Sequence, residues 1–183
     1  MKKNICLLLI AIALFNACTP SLLTKLGTTN YETSRDDGHE GNAKILKGII
    51  NRQLLESDTA FKWFNDNYKY AQPDANAVAA FNNNKEKFSM VVFGGTWCHD
   101  TQNILPIFFK LIDKSSFPQN KIYLIGVDRA KTTSHNLHKK YKVTNVPTFI
   151  VLDTNGVENG RVVEYGKSGT PDKELGEIVS KIK

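Results

Sequence analysis

The stretch Gly94-Gly95-Thr96-Trp97-Cys98-His99-Asp100-Thr101 joins two segments with different apolar patterns. The residues before it, 88–93, form a short apolar run that is typical of a buried strand. The residues after it, 104–112, repeat apolar side chains with a helical period. Cys98 is therefore predicted where a strand ends and a helix begins, and there backbone N–H groups and the helix dipole stabilise a thiolate. A small buried core cysteine is the alternative interpretation.

The order of the motifs resembles that of the thioredoxin family. Residues 97–101 are similar to the family's Trp-Cys-x-x-Cys motif, and Pro106 matches a proline found five residues beyond the second cysteine position. Val146-Pro147-Thr148 resembles the family's apolar residue, cis-proline and threonine, which lie opposite the active cysteine. The resemblance covers roughly residues 74–182. It implies an α/β, thioredoxin-like fold with a central mixed sheet flanked by helices, to which this chain adds an N-terminal extension.

The chain departs from the family pattern at three positions. Thr101 occupies the second cysteine position, and a hydroxyl cannot resolve a mixed disulfide. By alignment from Cys98, Val92 and Leu124 occupy the positions where the resemblance places a buried, proton-accepting Asp and the Lys that pairs with it. These departures imply a monothiol relative, or one that has lost redox turnover.

The polar neighbours of Cys98 are candidates for tuning its reactivity. His99 can place a cation near the sulfur and favour the thiolate. Asp100 either opposes that effect or serves the helix start, where the dipole stabilises a carboxylate. The resemblance makes Cys98 the catalytic residue, with Trp97, His99, Asp100 and Thr101 as active-site neighbours and Val146, Pro147 and Thr148 as the substrate groove.

The N-terminal sequence predicts export. Lys2-Lys3 precede an apolar run, residues 5–15, that is too short for a membrane span and is typical of a secretory signal. Ala17-Cys18 follows and resembles a bacterial lipoprotein cleavage site, although Phe15-Asn16 fits the pattern imperfectly. We expect lipid on Cys18 and localisation at the bacterial cell envelope, facing the periplasm. A plain cleaved signal or an uncleaved anchor is the alternative.

This prediction accounts for the cysteines of the chain, of which there are three. Cys6 is removed with the signal, Cys18 is acylated, and Cys98 is left as the free thiol of the mature protein. No intramolecular disulfide is then expected. A lone cysteine at a helix start in an exported protein favours a role in exchange.

Four segments are predicted along the chain. Residues 1–17 are the lipoprotein signal peptide, and residues 18–42 are polar, without clear periodicity, and are predicted to be a flexible tether. Residues 43–73 carry apolar and aromatic side chains, with Asp58 as a candidate helix cap. They are predicted to pack on the core as an N-terminal extension, or alternatively to form a substrate platform. Residues 74–183 are the predicted thioredoxin-like domain.

The basic composition, with a formal net charge of +6, does not by itself define a partner. Lys139-Lys140 and Lys142 indicate a solvated helix face, or alternatively contact with an anionic surface. The chain lacks the basic and aromatic alternation of nucleic-acid-binding proteins, so no nucleic acid is expected. His135 and His138 are spaced for one predicted helix, but no third ligand has matching spacing. We expect neither a metal nor another cofactor.

Three functions remain open at this point. The first is monothiol thiol–disulfide exchange, of isomerase or reductase type, in which Cys98 attacks a client disulfide and an external thiol reductant resolves the adduct. Its partners are disulfide-containing or thiol client proteins, and the membrane through the lipid anchor. The second is a redox-inactive binding module that holds a client beside Pro147. The third is a structural envelope lipoprotein.

Overall fold

The computed structural model describes residues 29–36 and 42–182, so the predicted signal peptide and Cys18 lie outside the described residues. Its strands are β1 (Asn30–Arg35), β2 (Lys44–Ile50), β3 (Phe88–Gly94), β4 (Ile122–Gly126), β5 (Thr148–Asp153) and β6 (Glu158–Val163). Its helices are α1 (Arg52–Ser57), α2 (Lys62–Tyr70), α3 (Ala75–Asn84), α4 (His99–Lys114), α5 (Leu137–Lys140) and α6 (Pro171–Val179). Short 3₁₀ turns cover Thr59–Phe61, Gln119–Lys121 and Ser134–Asn136.

The strands of this part of the chain form one sheet in the order β1-β2-β4-β3-β5-β6. β3 runs parallel to β4, and the other neighbouring pairs are antiparallel. Helices α1 to α4 and α6 contribute to the apolar cluster on one face, and α5 contributes to the cluster on the other. The prediction of an α/β fold with a central mixed sheet flanked by helices is confirmed.

Strand β3 lies at the centre of both apolar clusters because successive side chains of a strand point to opposite faces of the sheet. Met90 and Val92 join the larger cluster, and Val91 and Phe93 join the smaller one together with Leu137 of α5. All four of these β3 side chains are fully buried. The apolar run of residues 88–93 is thus a strand that is covered on both faces, as the sequence predicted.

The N-terminal extension contributes a strand to the sheet itself. β2 pairs with β4, and Gly48 lies opposite Gly126 in this register. A Cβ atom at Gly126 would lie 2.1 Å from the carbonyl oxygen of Leu46. The two strands can approach this closely because the position is a glycine.

Strand β1 lies within the segment that was predicted to be a flexible tether up to residue 42. It pairs antiparallel with β2, and each of its residues is exposed. Because neither face of β1 is buried, no apolar alternation marks it in the sequence. The tether prediction is therefore wrong for residues 30–35. It stays a prediction for residues 18–28 and 37–41, which lie outside the described part of the chain.

Helices α1 and α2 are attached to α4 by a polar cluster and by aromatic packing. Arg52 donates a hydrogen bond of 2.7 Å to Asp113, and the Tyr68 hydroxyl donates to the same carboxylate. Burial opposes ionisation of Asp113, but the hydrogen bonds from Arg52 and Tyr68 outweigh it and hold the pKa of that carboxyl below its ordinary value. Phe64 packs edge-on against Phe109, with 5.7 Å between the ring centroids. Both helices of the extension thus pack on the helix that follows Cys98.

Asp58 caps a 3₁₀ turn rather than the helix that holds most of the aromatic side chains. Its carboxylate accepts a hydrogen bond of 2.9 Å from the backbone N–H of Ala60. The turn, Thr59–Phe61, leads directly into α2. Asp58 therefore caps the 3₁₀ turn that precedes α2, and α2 itself begins after Phe61.

The two histidines that were predicted on one helix lie on different elements. His135 belongs to a 3₁₀ turn and has a φ of 55°, in the left-handed region. Asn136 is left-handed as well, with a φ of 52°, so the chain cannot continue as a right-handed helix through this point. His138 lies in α5, where its Nδ1 accepts a hydrogen bond from the backbone N–H of Thr133. The predicted shared helix is wrong.

Candidate functional site

Cys98 lies where β3 gives way to α4. β3 ends at Gly94, and Cys98 is the N-cap residue of α4, with extended φ and ψ of −89° and 124°. Its backbone N–H donates to the Gly95 carbonyl at 2.8 Å, and its own carbonyl accepts from Gln102 at 3.0 Å. The thiol is half-buried and packs against the smaller apolar cluster. Its position matches the sequence prediction, and it is not sealed in the core as the alternative required.

The segment that precedes β5 faces the thiol. Cys98 Sγ donates a hydrogen bond of 3.3 Å to the carbonyl oxygen of Val146. The peptide bond between Val146 and Pro147 is cis, as the resemblance implied. Thr148 begins β5, and its hydroxyl donates to the Asn145 carbonyl at 2.7 Å. The side chains of residues 146–148 are buried, so Val146 meets the thiol through its backbone carbonyl.

Thr101 lies in the first turn of α4 and is hydrogen-bonded to the loop of residues 95–98, the candidate active-site loop that joins β3 to α4. Its hydroxyl accepts a hydrogen bond of 3.2 Å from the backbone N–H of Gly95, and its side chain is buried. Its methyl group packs closely on Gly94, where an added Cβ atom would lie only 3.0 Å from the methyl carbon of Thr101. The hydroxyl thus fastens the end of β3 to the first turn of α4 at the position where the family has its second thiol.

Val92 and Leu124 face each other across the parallel strands β3 and β4, since they are partners in the register. Both side chains are buried and belong to the larger apolar cluster. The resemblance places a buried Asp and a paired Lys at these two positions. In this chain both positions are apolar, so they supply neither a proton acceptor nor a cation.

His99 and Asp100 occupy the first turn of α4, where His99 is exposed and Asp100 is half-buried. A carboxylate in the first turn is stabilised by the positive end of the helix dipole. This placement suits the role of Asp100 at the helix start that the sequence suggested. The tuning role predicted for His99 stays a prediction.

Trp97 is held by residues that sequence reasoning missed. Its Nε1 donates a hydrogen bond of 3.0 Å to the Val127 carbonyl, and the Arg129 guanidinium lies over the indole, 4.4 Å from the ring centroid. Arg129 in turn forms an ion pair with Asp36, and its Nε lies 2.8 Å from Asp36 Oδ2. Asp36 and Arg129 are separated by 93 residues, so no local pattern in the sequence signals their contact.

Thr96 was also missed, and it links the active-site loop to the N-terminal extension. Its hydroxyl donates to the Lys44 carbonyl at 2.7 Å and accepts from the Leu46 N–H at 3.2 Å. Both partners belong to β2. Thr96, the residue that precedes Trp97, is therefore hydrogen-bonded to the backbone of β2, a strand that lies outside the segment resembling thioredoxins.

Two features are absent from the described residues. Within residues 29–36 and 42–182, no cluster of His, Cys, Asp and Glu side chains is arranged to hold a metal ion. In the same residues, no helix is both long enough and apolar enough to cross a membrane.

A strand-to-helix junction with one thiol, set against a cis-proline segment in a mixed sheet, defines a thioredoxin-like protein with a single cysteine at this junction. A family model described as Thioredoxin matches residues 52–171. The chain therefore belongs to the thioredoxin family. The match begins at α1, upstream of residue 74, where the resemblance in the sequence begins. None of the curated proteins compared with the chain matches it.

Solved structures similar to this chain include an HIV epitope scaffold with 16% sequence identity and a TM-score of 0.52, covering 72% of this chain and 92% of the scaffold. A Schistosoma mansoni thioredoxin preprotein is 24% identical, with a TM-score of 0.39, over 60% of this chain and 92% of its own. Mitochondrial thioredoxin 3 of Saccharomyces cerevisiae is 21% identical, with a TM-score of 0.36, over 62% and 96%. The likeness to the scaffold concerns the fold alone.

Proposed function

We propose that the protein is a monothiol thiol–disulfide exchange protein of the bacterial envelope that acts through Cys98 as an isomerase or reductase. One observation carries the proposal: a half-buried thiol caps the N-terminus of α4 and lies 3.3 Å from the Val146 carbonyl, next to cis-Pro147. A helix N-terminus favours the thiolate, which is the nucleophile of disulfide exchange. Membership of the thioredoxin family supports the same chemistry.

The proposed reaction has two exchange steps at Cys98. In the first, the Cys98 thiolate attacks one sulfur of a client disulfide, the client S–S bond breaks, and the other client sulfur leaves as a thiolate that takes up a proton. In the second, the thiolate of an external thiol attacks the client sulfur of the mixed disulfide. This attack releases the Cys98 thiolate and leaves the client in a mixed disulfide with the external thiol, from which a second external thiol frees the reduced client. When a different thiol of the client attacks the client sulfur bound to Cys98 instead, a new disulfide forms within the client, the Cys98 thiolate is released, and the result is isomerisation.

The side chain of Thr101 explains why an external thiol is required. A hydroxyl does not attack a disulfide, and this one is occupied with the backbone N–H of Gly95. The apolar pair Val92 and Leu124 supplies no internal proton acceptor for a second thiol. The proposed partners are therefore disulfide-containing or thiol client proteins, together with a small or protein thiol that acts as reductant.

The experiment that tests this function is disulfide trapping through Cys98. The purified protein is incubated with a disulfide-bridged model protein such as insulin. We expect a covalent adduct that dithiothreitol separates into its two components by reducing the disulfide between them. Mass spectrometry should place the bond on the peptide that contains Cys98, and Cys98→Ser should form no adduct. The absence of any adduct with the unsubstituted protein, or equal adduct with Cys98→Ser, would reject the exchange function.

A second candidate function is client binding without redox chemistry. The observation that favours it is the loss of redox groups: Thr101, Val92 and Leu124 replace a thiol and an acid–base pair by a hydroxyl and two buried apolar side chains. In this case Cys98→Ser should capture the same clients as the unsubstituted protein, without a disulfide. Capture by the Cys98→Ser variant thus distinguishes the two functions.

We also propose that the chain is attached to the envelope membrane by lipid on Cys18, with the domain facing the periplasm. The support is the sequence, in which the apolar run of residues 5–15 ends just before Ala17-Cys18. Acylation would convert the Cys18 sulfur to a thioether and remove it from disulfide exchange. Cys98 would then be the thiol available to clients.

Mass spectrometry of the mature protein tests the anchor. We expect Cys18 as the N-terminal residue, carrying acyl groups, because cleavage before this cysteine is what the N-terminal pattern indicates. Cys18→Ser should either release the protein from the membrane fraction or block its processing, whereas Cys6→Ser, within the signal, should leave both unchanged. An unmodified N-terminus at another residue would contradict the proposal.

A further inference from the structure

The hairpin formed by β1 and β2 contacts the active-site loop and also the segment that follows β4. Through β2 it holds Thr96, the residue that precedes Trp97. Through Asp36, at the end of β1, it holds Arg129, whose guanidinium covers the Trp97 indole. Both contacts therefore lead to the tryptophan that stands next to the thiol in the chain.

We propose that Asp36 and Arg129 are positioning residues for Trp97 and, through it, for the reaction of Cys98. This inference rests on the proposed function for its catalytic part. The hairpin, which precedes the residues that the family model matches, thus serves as a support that fixes the active-site tryptophan. Arg129 and Asp36 act through Trp97 and need not touch a client.

Two perpendicular contacts fix the indole of Trp97. At its edge, Nε1 donates to the Val127 carbonyl at 3.0 Å. On its face, the Arg129 guanidinium lies 4.4 Å from the ring centroid, within the range of a cation–π contact. The hydrogen bond holds the edge in place, and the stacked cation opposes rotation about that bond. With both contacts present, the indole has one preferred orientation, and it packs against the same apolar cluster as Cys98.

Asp36 determines where the guanidinium lies. Its carboxylate accepts from Arg129 Nε at 2.8 Å and also from a terminal guanidinium nitrogen. The Asp36 side chain is 3% exposed, whereas that of Arg129 is 39% exposed. The aspartate is thus the fixed partner of the pair. Because a guanidinium is planar, a carboxylate that binds its edge leaves the flat face free to stack on an aromatic ring.

The backbone also holds Asp36 in place, since its N–H donates to the Ala43 carbonyl at 3.0 Å and continues the pairing of β1 with β2. A second ion pair joins the same hairpin to the same segment: Lys47 Nζ lies 2.8 Å from Asp128 Oδ2. This pair involves Asp128, the residue before Arg129, and neither of its side chains stacks on the Trp97 indole as Arg129 does. It therefore offers a matched control for the loss of one ion pair between these two elements.

The test uses Trp97 fluorescence in the full protein. The chain has two tryptophans, so Trp63→Phe leaves Trp97 as the one reporter. In this background we compare Arg129→Lys, Asp36→Asn and the control Lys47→Met. Arg129→Lys keeps the positive charge opposite Asp36 but loses the planar face that stacks on the indole. The readouts are acrylamide quenching of Trp97 and the rate of Cys98 alkylation by iodoacetamide at constant pH.

We expect Arg129→Lys and Asp36→Asn to raise the quenching constant and the alkylation rate by about threefold each, the size set by the loss of an exposed cation–π contact. Lys47→Met should leave both readouts unchanged, even where its thermal stability falls as far as that of Asp36→Asn. The proposal is overturned if Lys47→Met shifts both readouts equally, or if Arg129→Lys and Asp36→Asn shift neither.

The two proposals fail in different ways. If the unsubstituted protein traps no disulfide but quenching still rises in Arg129→Lys, the exchange function is rejected and the positioning of Trp97 is supported. If trapping through Cys98 is intact but quenching and alkylation do not respond to Arg129→Lys and Asp36→Asn, the exchange function is supported and the positioning role is rejected.

Discussion

Thr101→Cys should give the protein an internal disulfide, with Cys98 as its partner. Residues three apart on a helix are neighbours, and Cys98 and Thr101 occupy the N-cap and first turn of α4. The new thiol would replace a hydroxyl that accepts from the Gly95 N–H, so the loop would lose one hydrogen bond of 3.2 Å. Sulfur is a weaker acceptor than oxygen. We therefore expect the reduced variant to be slightly less stable than the unsubstituted protein.

The second expected result for Thr101→Cys is turnover as a dithiol reductase. The introduced thiol can attack the mixed disulfide at Cys98, release the client in reduced form and leave the internal disulfide for an external reductant to open. The apolar pair Val92 and Leu124 provides no internal proton acceptor, so the gain in rate should be modest. Thiol counting in oxidised protein measures the bond, and insulin reduction in the presence of dithiothreitol measures the turnover.

Thr101→Ser is the matched control because serine, like cysteine, lacks the threonine methyl group but keeps the hydroxyl that accepts from the Gly95 N–H. It should form no internal disulfide and should show the same insulin reduction as the unsubstituted protein. A Thr101→Cys variant that forms the disulfide without turnover would show that Thr101 is not the main obstacle to a dithiol cycle. The binding-module function would then be preferred.

Gly126→Ala should lower the free energy of unfolding by about 3 kcal/mol, more than the other substitutions considered for this protein, because the added methyl group has no space. Its Cβ would lie 2.1 Å from the Leu46 carbonyl oxygen and 2.9 Å from the carbon of that carbonyl. Both atoms belong to the backbone of β2, so relief requires β2 to move away from β4. Urea denaturation, followed by far-UV circular dichroism, measures the change in the free energy of unfolding.

The same substitution should disturb the active-site loop. Leu46 donates its N–H to Thr96, so a displaced β2 would weaken the hydrogen bonds that hold the residue before Trp97. Gly160→Ala is the control, since a Cβ there would meet Ile178 side-chain atoms at 3.1–3.3 Å, and a side chain can change its rotamer. We expect it to cost less than about 1 kcal/mol. Equal costs for the two variants would show that β2 adapts to Gly126→Ala.

The parts of this fold that the sequence predicted are those coded by neighbouring residues. The buried strand before Gly94 and the amphipathic helix after Cys98 follow from apolar periodicity, which records the faces that each element buries. The apolar partners Val92 and Leu124 could be inferred because a resemblance assigned both positions. Their contact across β3 and β4 agrees with that inference.

The parts that the sequence did not predict depend on backbone pairing or on distant contacts. β1 is exposed on both faces and is held through the backbone of β2, so its side chains carry no periodic signal. The ion pair of Asp36 with Arg129 joins positions 93 residues apart. Thr96 appears in the sequence as one more polar loop residue, and its role depends on β2 passing within hydrogen-bond distance.

We expect the exposed outer strand to limit self-association of the protein through the margin of its sheet. A chain shortened to begin at residue 43, the predicted start of its packed part, would lose β1 and leave β2 as the margin of the sheet. The N–H and C=O groups of β2 that now pair with β1 would then be open to another copy. β1 ends the sheet with Glu32 and Arg35 among its exposed side chains, and charges on an outer strand discourage such pairing. We therefore expect a purified protein that begins after β1 to aggregate more readily than one that begins before Asn30.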